Sequence, residues 1–521
     1  MGRHIPDPRA YEQIVGTFKK NKTGITLADV SAGTALPLER VRSLVPLAAD
    51  EYSARLEVTE SGEILYSFPK GFRSRYRGPR AALKRFFAAF TRVAGEAFKL
   101  LFKAWIMVML LGYFILFMVI ALASLFISIS ASSNNRRNGR GGVNVSAGLF
   151  NMIIRLWFYS ELFGGGSRRR YGGSSWGGSP ADTGNRSSGG GRPLHKAIFS
   201  FVFGEDDPNR DRETQEKKAF ITWLRQRRGV AAVPELMILA ARNPQAAESS
   251  MAQFCAEFEG SPEVTDEGTV VYRFDEILLS GEKNDAWHDQ DFAKQAAGAS
   301  AAGIPSPLFK KLKTFSFNPK KMNFWFGLIN GVNLLFGSYF LYNAVNIGRI
   351  MNEAQLQGSG IYGIVYYVLY QITPEPLSVI KIALGIIPLL FSLLFWLIPA
   401  VRAWLLQKEN DSLRMDNFRS LFYGRIWTNP EKFIPAALEP ADKDCRPGNI
   451  QAAREKALKE MVTYSVPDVS RDDKQNEVFD FPELRREKDA LEKYRLSLDP
   501  ARAKPGKTVF DTHASSAAPE A

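Results

Sequence analysis

Residues 56–69 of this 521-residue chain read LEVTESGEILYSFP, and residues 262–275 read PEVTDEGTVVYRFD. Six positions of the first stretch recur in the second: Glu57, Val58, Thr59, Gly62, Tyr66 and Phe68 return as Glu263, Val264, Thr265, Gly268, Tyr272 and Phe274. In both stretches alternating apolar residues flank a turn that contains glycine, which is typical of a half-buried β-hairpin. The recurrence predicts two copies of one small module.

The residues before each hairpin predict three short helices. They cover 11–20, 26–32 and 37–47 in the first copy, and 217–227, 233–241 and 244–258 in the second. Three helices followed by a hairpin is the winged-helix arrangement. We therefore predict winged-helix-like α+β modules at residues 1–72 and 193–280.

Three long stretches without a charged residue predict transmembrane helices, at 104–130, 323–347 and 382–401. Each reaches the roughly 17 to 25 residues that a helix needs to cross a bilayer. The last two would form a transmembrane hairpin over 323–401. The predicted fold class is thus a mainly α membrane protein with helical transmembrane spans and two small modules.

Residues 143–163 leave the number of spans open between four and three. This stretch is long enough to span, but it contains Arg155 and Glu161, so an interfacial helix is the alternative. Lysine and arginine residues precede the second predicted span and follow the third. By the positive-inside rule, they place these two ends of the hairpin in the cytosol. The analysis predicts a multi-pass protein of the cytoplasmic (inner) membrane with both modules and the C-terminus cytosolic.

Much of the formal net charge of +13 lies just before the first predicted span. Residues 73–103 combine basic residues with apolar residues at helical spacing, which predicts an amphipathic helix at the membrane surface. The alternative is a linker helix packed on the first module. The candidate residues for contact with lipid headgroups are Lys84, Arg85, Arg92, Lys99 and Lys103.

The second predicted span contains a G-x-x-x-G motif formed by Gly327 and Gly331, with Asn330 between them. This spacing permits close approach of two helices and hydrogen bonds between them. We therefore predict that these three residues pack against another helix.

The remaining segments are predicted to connect or extend these parts. They are a loop with the marginal span at 131–163, a Gly/Ser/Arg-rich linker at 164–192, a linker at 281–322, a charged helical tail at 402–496 and a disordered tail at 497–521. The arginines of the 164–192 linker also leave contact with RNA or acidic lipid open.

Candidate catalytic or metal-binding residues are few. The chain contains two cysteines, Cys255 and Cys445, and four histidines that lie far apart in sequence. This content is too small for a four-thiolate cluster or zinc site from one chain. We predict neither enzyme activity nor a metal or other cofactor, and no small-molecule substrate.

DNA is also an unfavoured partner, although winged-helix modules often bind it. The third helix of the second copy, PQAAESSMAQFCAEF, contains no lysine or arginine and would repel phosphate through its acidic residues. Docking of other proteins is the favoured role of the modules, and packing of the two copies on each other is the structural alternative.

Several stretches carry a resemblance to a known group of proteins. They read LHKAIFSFVFGEDDPN at 194–209, RRGVAAVPEL at 227–236, EVTDEGTVVYRF at 263–274 and YSFPKGFRS at 66–74. They resemble an uncharacterised membrane-protein family of cyanobacteria and chloroplast envelopes, sometimes labelled as an iron-sulfur cluster biosynthesis family. The resemblance implies an architecture and a membrane location, and the two cysteines offer that label no set of ligands.

These observations predict an integral membrane scaffold or assembly factor whose partners are membrane lipids and unidentified proteins. A membrane-tethered transcriptional regulator is the alternative, followed by a transporter or lipid-handling protein. The absence of charge from the three predicted spans argues against an ion-coupled transporter.

Overall fold

The computed structural model describes residues 7–21, 23–69, 71–72, 101–133, 193–281, 303–350, 360–473, 475–499 and 506–512. The chain divides into two compact units. The module unit comprises Met1–Phe87, Asp207–Lys313 and Lys408–Ala521, and the helix unit comprises Ala88–Asp206 and Thr314–Gln407. The predicted marginal span, the 164–192 linker and the residues Lys84, Arg85, Arg92 and Lys99 lie outside the described residues.

The first module consists of three helices and a hairpin. They are α1 (Pro8–Lys20), α2 (Leu27–Thr34), α3 (Leu38–Tyr52), β1 (Arg55–Thr59) and β2 (Ile64–Ser67). Asp7 caps α1 by accepting backbone N–H bonds, and Thr26 caps α2. Residues such as Ile14, Phe18 and Val41 are buried together in the centre of the module.

The helix unit begins with an apolar helix. A π-helical turn at Val108–Gly112 continues into α4 (Tyr113–Ser133), and α5 (Leu194–Phe203) follows later in the chain. Ile106 and Leu110 pack in one buried cluster with Ala197 and Ile198 of α5. The short helix α5 therefore packs against the apolar helix.

The second module repeats the order of elements of the first. It contains α6 (Arg212–Gln226), β3 (Val230–Ala231), α7 (Val233–Ala240), α8 (Pro244–Phe258), β4 (Ser261–Val264) and β5 (Val270–Arg273). Phe220, Phe254 and Phe274 lie in its buried core. All three predicted helices are present in each module, with α6 starting five residues earlier than expected.

Backbone conformations also correspond between the modules at a separation of 206 residues. Ala35, Ser53 and Gly62 have positive φ angles, and so do Ala241, Glu259 and Gly268. In the first module Ile25 bridges to Tyr66, and in the second Ala231 pairs with Tyr272. The two modules therefore share their turns and their third strand position as well as their helices.

The rest of the helix unit contains two further long apolar helices. In chain order the elements are α9 (Lys320–Ile350), α10 (Ile361–Tyr370), α11 (Pro376–Val379), a π-helical segment (Ile380–Ile386) and α12 (Ile387–Thr428). Among the described residues, three helices are long and apolar enough to cross a membrane: Leu101–Leu125, Lys320–Asn346 and Pro376–Thr428. They overlap the three predicted spans at 104–130, 323–347 and 382–401.

The helix α12 continues without a break from the predicted span at 382–401 into the predicted charged helical tail, as far as Thr428. Its last turns, Phe418, Phe422 and Trp427, are buried in one cluster with Ile238 and other apolar residues of the second module. The charged residues that follow the predicted span therefore belong to a helix whose far end packs into a core.

The C-terminal part of the module unit contains two helices and three strands. They are α13 (Ile450–Tyr464), β6 (Asp468–Arg471), β7 (Glu477–Asp480), α14 (Pro482–Ser497) and β8 (Thr508–Asp511). Met461, Phe479 and Leu491 join the same buried cluster as Ile238. The tail is thus part of the core of the second module.

The prediction of disorder after residue 497 is wrong for β8. This strand pairs with β1 and gives the first module a three-stranded sheet in the order β2-β1-β8. The alanine-rich and polar composition suggested disorder because local sequence carries no sign of a strand partner more than 400 residues away.

One partly buried carboxyl group in this tail makes the stability of the fold depend on pH. Both side-chain oxygens of Glu487 accept hydrogen bonds from the Tyr464 hydroxyl, at 2.9 and 3.1 Å. Burial raises the pKa of Glu487 to about 7, and the charge of Glu235 acts in the same direction. The folded state therefore favours the neutral form of Glu487.

We expect Glu487→Gln to stabilise the fold at pH 8 by about 1 to 3 kcal/mol and to change it little near pH 4.5. The neutral carboxyl contributes fully to the free energy of unfolding below the ordinary pKa of glutamate. This contribution disappears as the pH rises through about 7, the pKa of Glu487 in the folded state. Thermal unfolding of the purified protein at both pH values measures the effect. Glu483→Gln, an exposed position on the same helix, is the control, and equal shifts at both pH values would contradict the prediction.

Candidate functional site

Two buried asparagines lie at the packed centre of the helix unit. Asn330 Nδ2 donates to the carbonyl of Ser392 at 3.0 Å, and Asn333 Nδ2 donates to the carbonyl of Leu110 at 2.8 Å. Both asparagines are fully buried. They connect α9 to α12 and to the π-helical turn before α4, where the regular hydrogen-bond ladder is interrupted.

The two glycines of the predicted G-x-x-x-G motif have different surroundings. A Cβ atom at Gly327 would lie 3.5 Å from the Trp396 ring, whereas one at Gly331 would meet nothing within 4 Å. Gly331 therefore meets no other described helix of this chain, and its role in helix packing stays a prediction. The close approach occurs at Gly337 and Gly385, where a Cβ atom would lie 3.1 Å from backbone atoms of the opposite helix.

Lys103 is the one predicted membrane-surface residue that the described part of the chain includes. Its Nζ lies 4.3 Å from the centre of the Phe199 ring, on α5 of the same unit. This cation–π contact places Lys103 against another helix of the unit. The contribution of the other four basic residues to lipid binding stays a prediction.

A buried carboxylate joins the first module to the second. Asp29 is completely buried at the start of α2, where Thr26 N donates to its carboxylate at 3.2 Å. Arg225 of α6 reaches across and donates to Asp29 Oδ1 at 3.0 Å, and Gly281 N donates to Oδ2 at 3.2 Å. The cation that compensates the charge of Asp29 thus comes from the second module.

The corresponding carboxylate of the second module, 206 residues later, is Glu235. It is 1% exposed at the start of α7 and accepts from Ala232 N at 3.2 Å. Arg495 of α14 donates to Glu235 Oε2 at 2.6 Å and to the carbonyl of Val230 at 2.7 Å. The tail therefore binds to the second module in the way that the second module binds to the first.

Sequence reasoning missed both ion pairs. Aligning the two copies at their hairpins places Asp29 opposite Glu235, so the recurrence of an acidic residue at this position was readable. The two arginines lie in segments that do not correspond to each other, and no spacing rule predicts them.

The third helix of each module contacts other parts of the module unit. Leu38 at the start of α3 is buried in the core cluster of the second module. Arg42 donates to Glu259 at 2.8 Å, and Arg40 lies 3.4 Å from Asp7. Ala247 of α8 is buried in the cluster that includes the tail.

The predicted linker at 281–322 has a structured end. Asparagine side chains form paired hydrogen bonds with its backbone: Asn417 with Lys310, Asn209 with Lys311 and Asn410 with Lys313, at 2.7 to 3.0 Å. Each amide supplies a donor and an acceptor, as a neighbouring β-strand would. These bonds hold residues 310–313 in a fixed extended conformation.

A polar cleft of about 700 Å³ opens between the two modules. Acidic and basic residues alternate along it: Glu39, Arg40, Glu213, Lys217 and Glu257. Lys217 Nζ lies 2.9 Å from Glu213 and 2.8 Å from Glu257, so its charge is compensated by the protein itself. The cleft does not present a concentration of one charge.

The two thiols do not have the properties of metal ligands or nucleophiles. Burial raises the pKa of Cys255 to about 11, and burial beside Asp442 and Asp444 does the same for Cys445. The reactive form, the thiolate, is therefore disfavoured at neutral pH. In the part of the chain that the structure describes, no three His, Cys, Asp or Glu residues form a group that could hold a metal ion.

Each hairpin presents a pair of apolar side chains near its turn. Val58 lies directly opposite Ile64 in the first module, and Val264 lies opposite Val270 in the second. Ile64 is 36% exposed, Val264 68% and Val270 47%. Because residues that face each other across an antiparallel pair point to the same side, each pair forms a small apolar patch, in which Val58 is half-buried and the other three residues are exposed.

Comparison with known proteins gives one informative similarity. The chain is 21% identical over 414 residues to an uncharacterised chloroplastic protein of Arabidopsis thaliana, and the match covers 78% of this chain and 70% of that protein. No family model matches the chain. No solved structure matches it.

We expect Arg495→Ala to destabilise the module unit by about 3 to 5 kcal/mol, because Glu235 would remain buried without its cation. Thermal unfolding of the purified full-length protein in detergent measures the loss. Arg485→Ala is the control, since Arg485 lies on the same helix and forms a more exposed ion pair with Glu431. A loss no larger than that of the control would contradict the importance of the buried pair.

Asn333→Ala is expected to weaken packing of the apolar helices by about 0.6 to 2 kcal/mol, because the Leu110 carbonyl loses its donor from α9. Resistance of the purified protein to unfolding in graded SDS reports the change. Asn343→Ala serves for comparison, because Asn343 is half-buried and donates to the carbonyl of Tyr339 on its own helix. Equal sensitivity of the two variants would show that the interhelical bond is unimportant.

Proposed function

We propose that the protein is an integral membrane scaffold or assembly factor that docks other proteins through two cytosolic winged-helix-like modules. The three apolar helices would anchor it in the cytoplasmic membrane or an equivalent membrane of a plastid. Lipid headgroups would bind the basic residues before the first span.

The observation that carries the proposal is the exposed apolar patch on each hairpin. Val58 with Ile64, and Val264 with Val270, occupy corresponding positions of the two modules. Apolar side chains cost free energy in water, at roughly 25 cal/mol per Å² of exposed surface, so a partner that covers them gains binding energy. A pair that recurs in both modules supports a shared docking role.

The third helices support protein docking over DNA binding. On α3 both candidate arginines already face acidic groups, Asp7 and Glu259. The α8 sequence contains no lysine or arginine and carries Glu248 on its exposed face. Neither helix offers the cluster of unpaired cations that phosphate binding requires.

The similarity to a chloroplastic protein of Arabidopsis supports the resemblance to a family shared by cyanobacteria and chloroplast envelopes. Such a distribution suits a protein of a photosynthetic or plastid membrane, where membrane complexes are assembled from many chains. It names no partner and no reaction.

We test the proposal by crosslinking the tagged full-length protein in intact cells, followed by mild detergent extraction and mass spectrometry. The test variant combines Val264→Lys and Val270→Lys, which charges the patch of the second module without removing core residues. Deleting the module is unsuitable, because the tail and the first module pack against it.

The control variant combines Val466→Lys and Val469→Lys, two exposed valines at the β6 strand. We expect wild type and control to recover the same defined proteins, and the test variant to recover them about tenfold less, as for loss of a central contact of an interface. An unchanged set with the test variant, or no specific proteins with wild type, would contradict docking through this patch.

A further inference from the structure

The C-terminal strand β8 lies along the outer edge of β1. Glu57 pairs with Asp511 and Val58 with Phe510. Both ends are fixed by backbone bonds: Glu60 N donates to the Lys507 carbonyl at 2.9 Å, and Thr512 N donates to the Leu56 carbonyl at 3.1 Å. The first module thus binds an extended peptide by adding it to its sheet.

Side chains make this edge selective for what it binds. Arg55 forms a two-pronged ion pair with Asp511, with its Nε donating to Oδ1 at 2.9 Å. Leu56 N donates to the Thr512 hydroxyl at 3.1 Å. Phe510 lies opposite Val58 and extends the apolar pair of Val58 and Ile64 into a row across three strands.

The corresponding edge of the second module, along β4, lacks the backbone N–H and the arginine that bind β8 in the first module. Proline, which has no N–H to donate, stands at position 262, where the first module has Leu56. Ser261 stands where the first module has Arg55. Strand addition of this kind is therefore a property of the first module, and the two modules are not interchangeable.

The bound strand itself is short and superficial. β8 has four residues, of which Val509 and Phe510 are 69% and 54% exposed. Ten residues separate it from the end of α14 at Ser497. Segments with few buried contacts open locally at a small cost in free energy, so this edge can become free while the core stays folded.

We propose that the β1 edge is a docking site for an extended segment of a partner protein with the pattern apolar, aromatic, Asp, Thr or Ser. β8, which reads Val-Phe-Asp-Thr from Val509 to Thr512, occupies the site in the free protein, and the partner segment displaces it. This inference deepens the proposed docking function and rests on it for the existence of a partner.

The test measures binding of a fluorescent peptide with the sequence of residues 506–514, GKTVFDTHA, to the full-length protein in detergent. Wild type is compared with a variant that ends at Ser497 and with full-length Phe510→Pro, because proline does not fit within a paired strand. Both variants keep every residue of the first module, and thermal unfolding checks that they remain folded.

We expect the peptide to bind both variants about tenfold or more tightly than wild type, where β8 competes at a high effective concentration. Adding Arg55→Ala to the shortened variant, or Asp511→Ala to the peptide, should weaken binding about tenfold through loss of the ion pair. An excess of the same peptide without the fluorescent label should displace the labelled peptide and reverse the signal.

Equal binding to wild type and to both opened variants, or no binding to either opened variant, would overturn the inference. So would a full-length protein that is a dimer and becomes a monomer with Phe510→Pro, because the site would then hold β8 of a second copy. If the peptide fails but the crosslinked proteins still depend on Val264 and Val270, the strand site falls and the docking function stands.

Discussion

The buried carboxylate at the start of the second helix of each module is the constraint on which the module unit depends. Asp29 and Glu235 are removed from water, and a buried carboxylate without a cation is strongly unfavourable. Each takes its arginine from the next part of the chain, Arg225 from α6 and Arg495 from α14. The first module, the second module and the tail therefore satisfy their charges only when they are packed together.

This dependence explains which surfaces are available for partners. The starts and apolar faces of α3 and α8 are used to join the parts, so these two helices are partly covered within the chain. Ile64 of the first hairpin and Val264 and Val270 of the second stay exposed. Among the described residues, β1 of the first hairpin pairs with the additional strand β8, whereas β4 of the second hairpin, which contains Pro262, pairs with β5 alone.

The helix unit follows another principle, because the apolar side chains of its long helices do not by themselves select one arrangement. Asn330 and Asn333 supply the directional contacts, and Gly337 and Gly385 let two backbones approach. The π-helical segment Ile380–Ile386 ends just before Pro388, whose missing N–H interrupts the regular helical ladder. Packing of these helices thus rests on a few polar and small residues.

Sequence alone determined the three apolar helices, the helices of both modules and their hairpins, because these depend on local periodicity, charge and turn-forming glycines. It gave no sign of the close backbone approach at Gly337 and Gly385, since the helix face that meets a neighbour is not encoded in a short motif. The partners of Asp29, Glu235 and β1 lie between 196 and 456 residues away in sequence. Only the tertiary structure decided these contacts, because an ion pair or strand pairing over such a separation depends on how the whole chain packs.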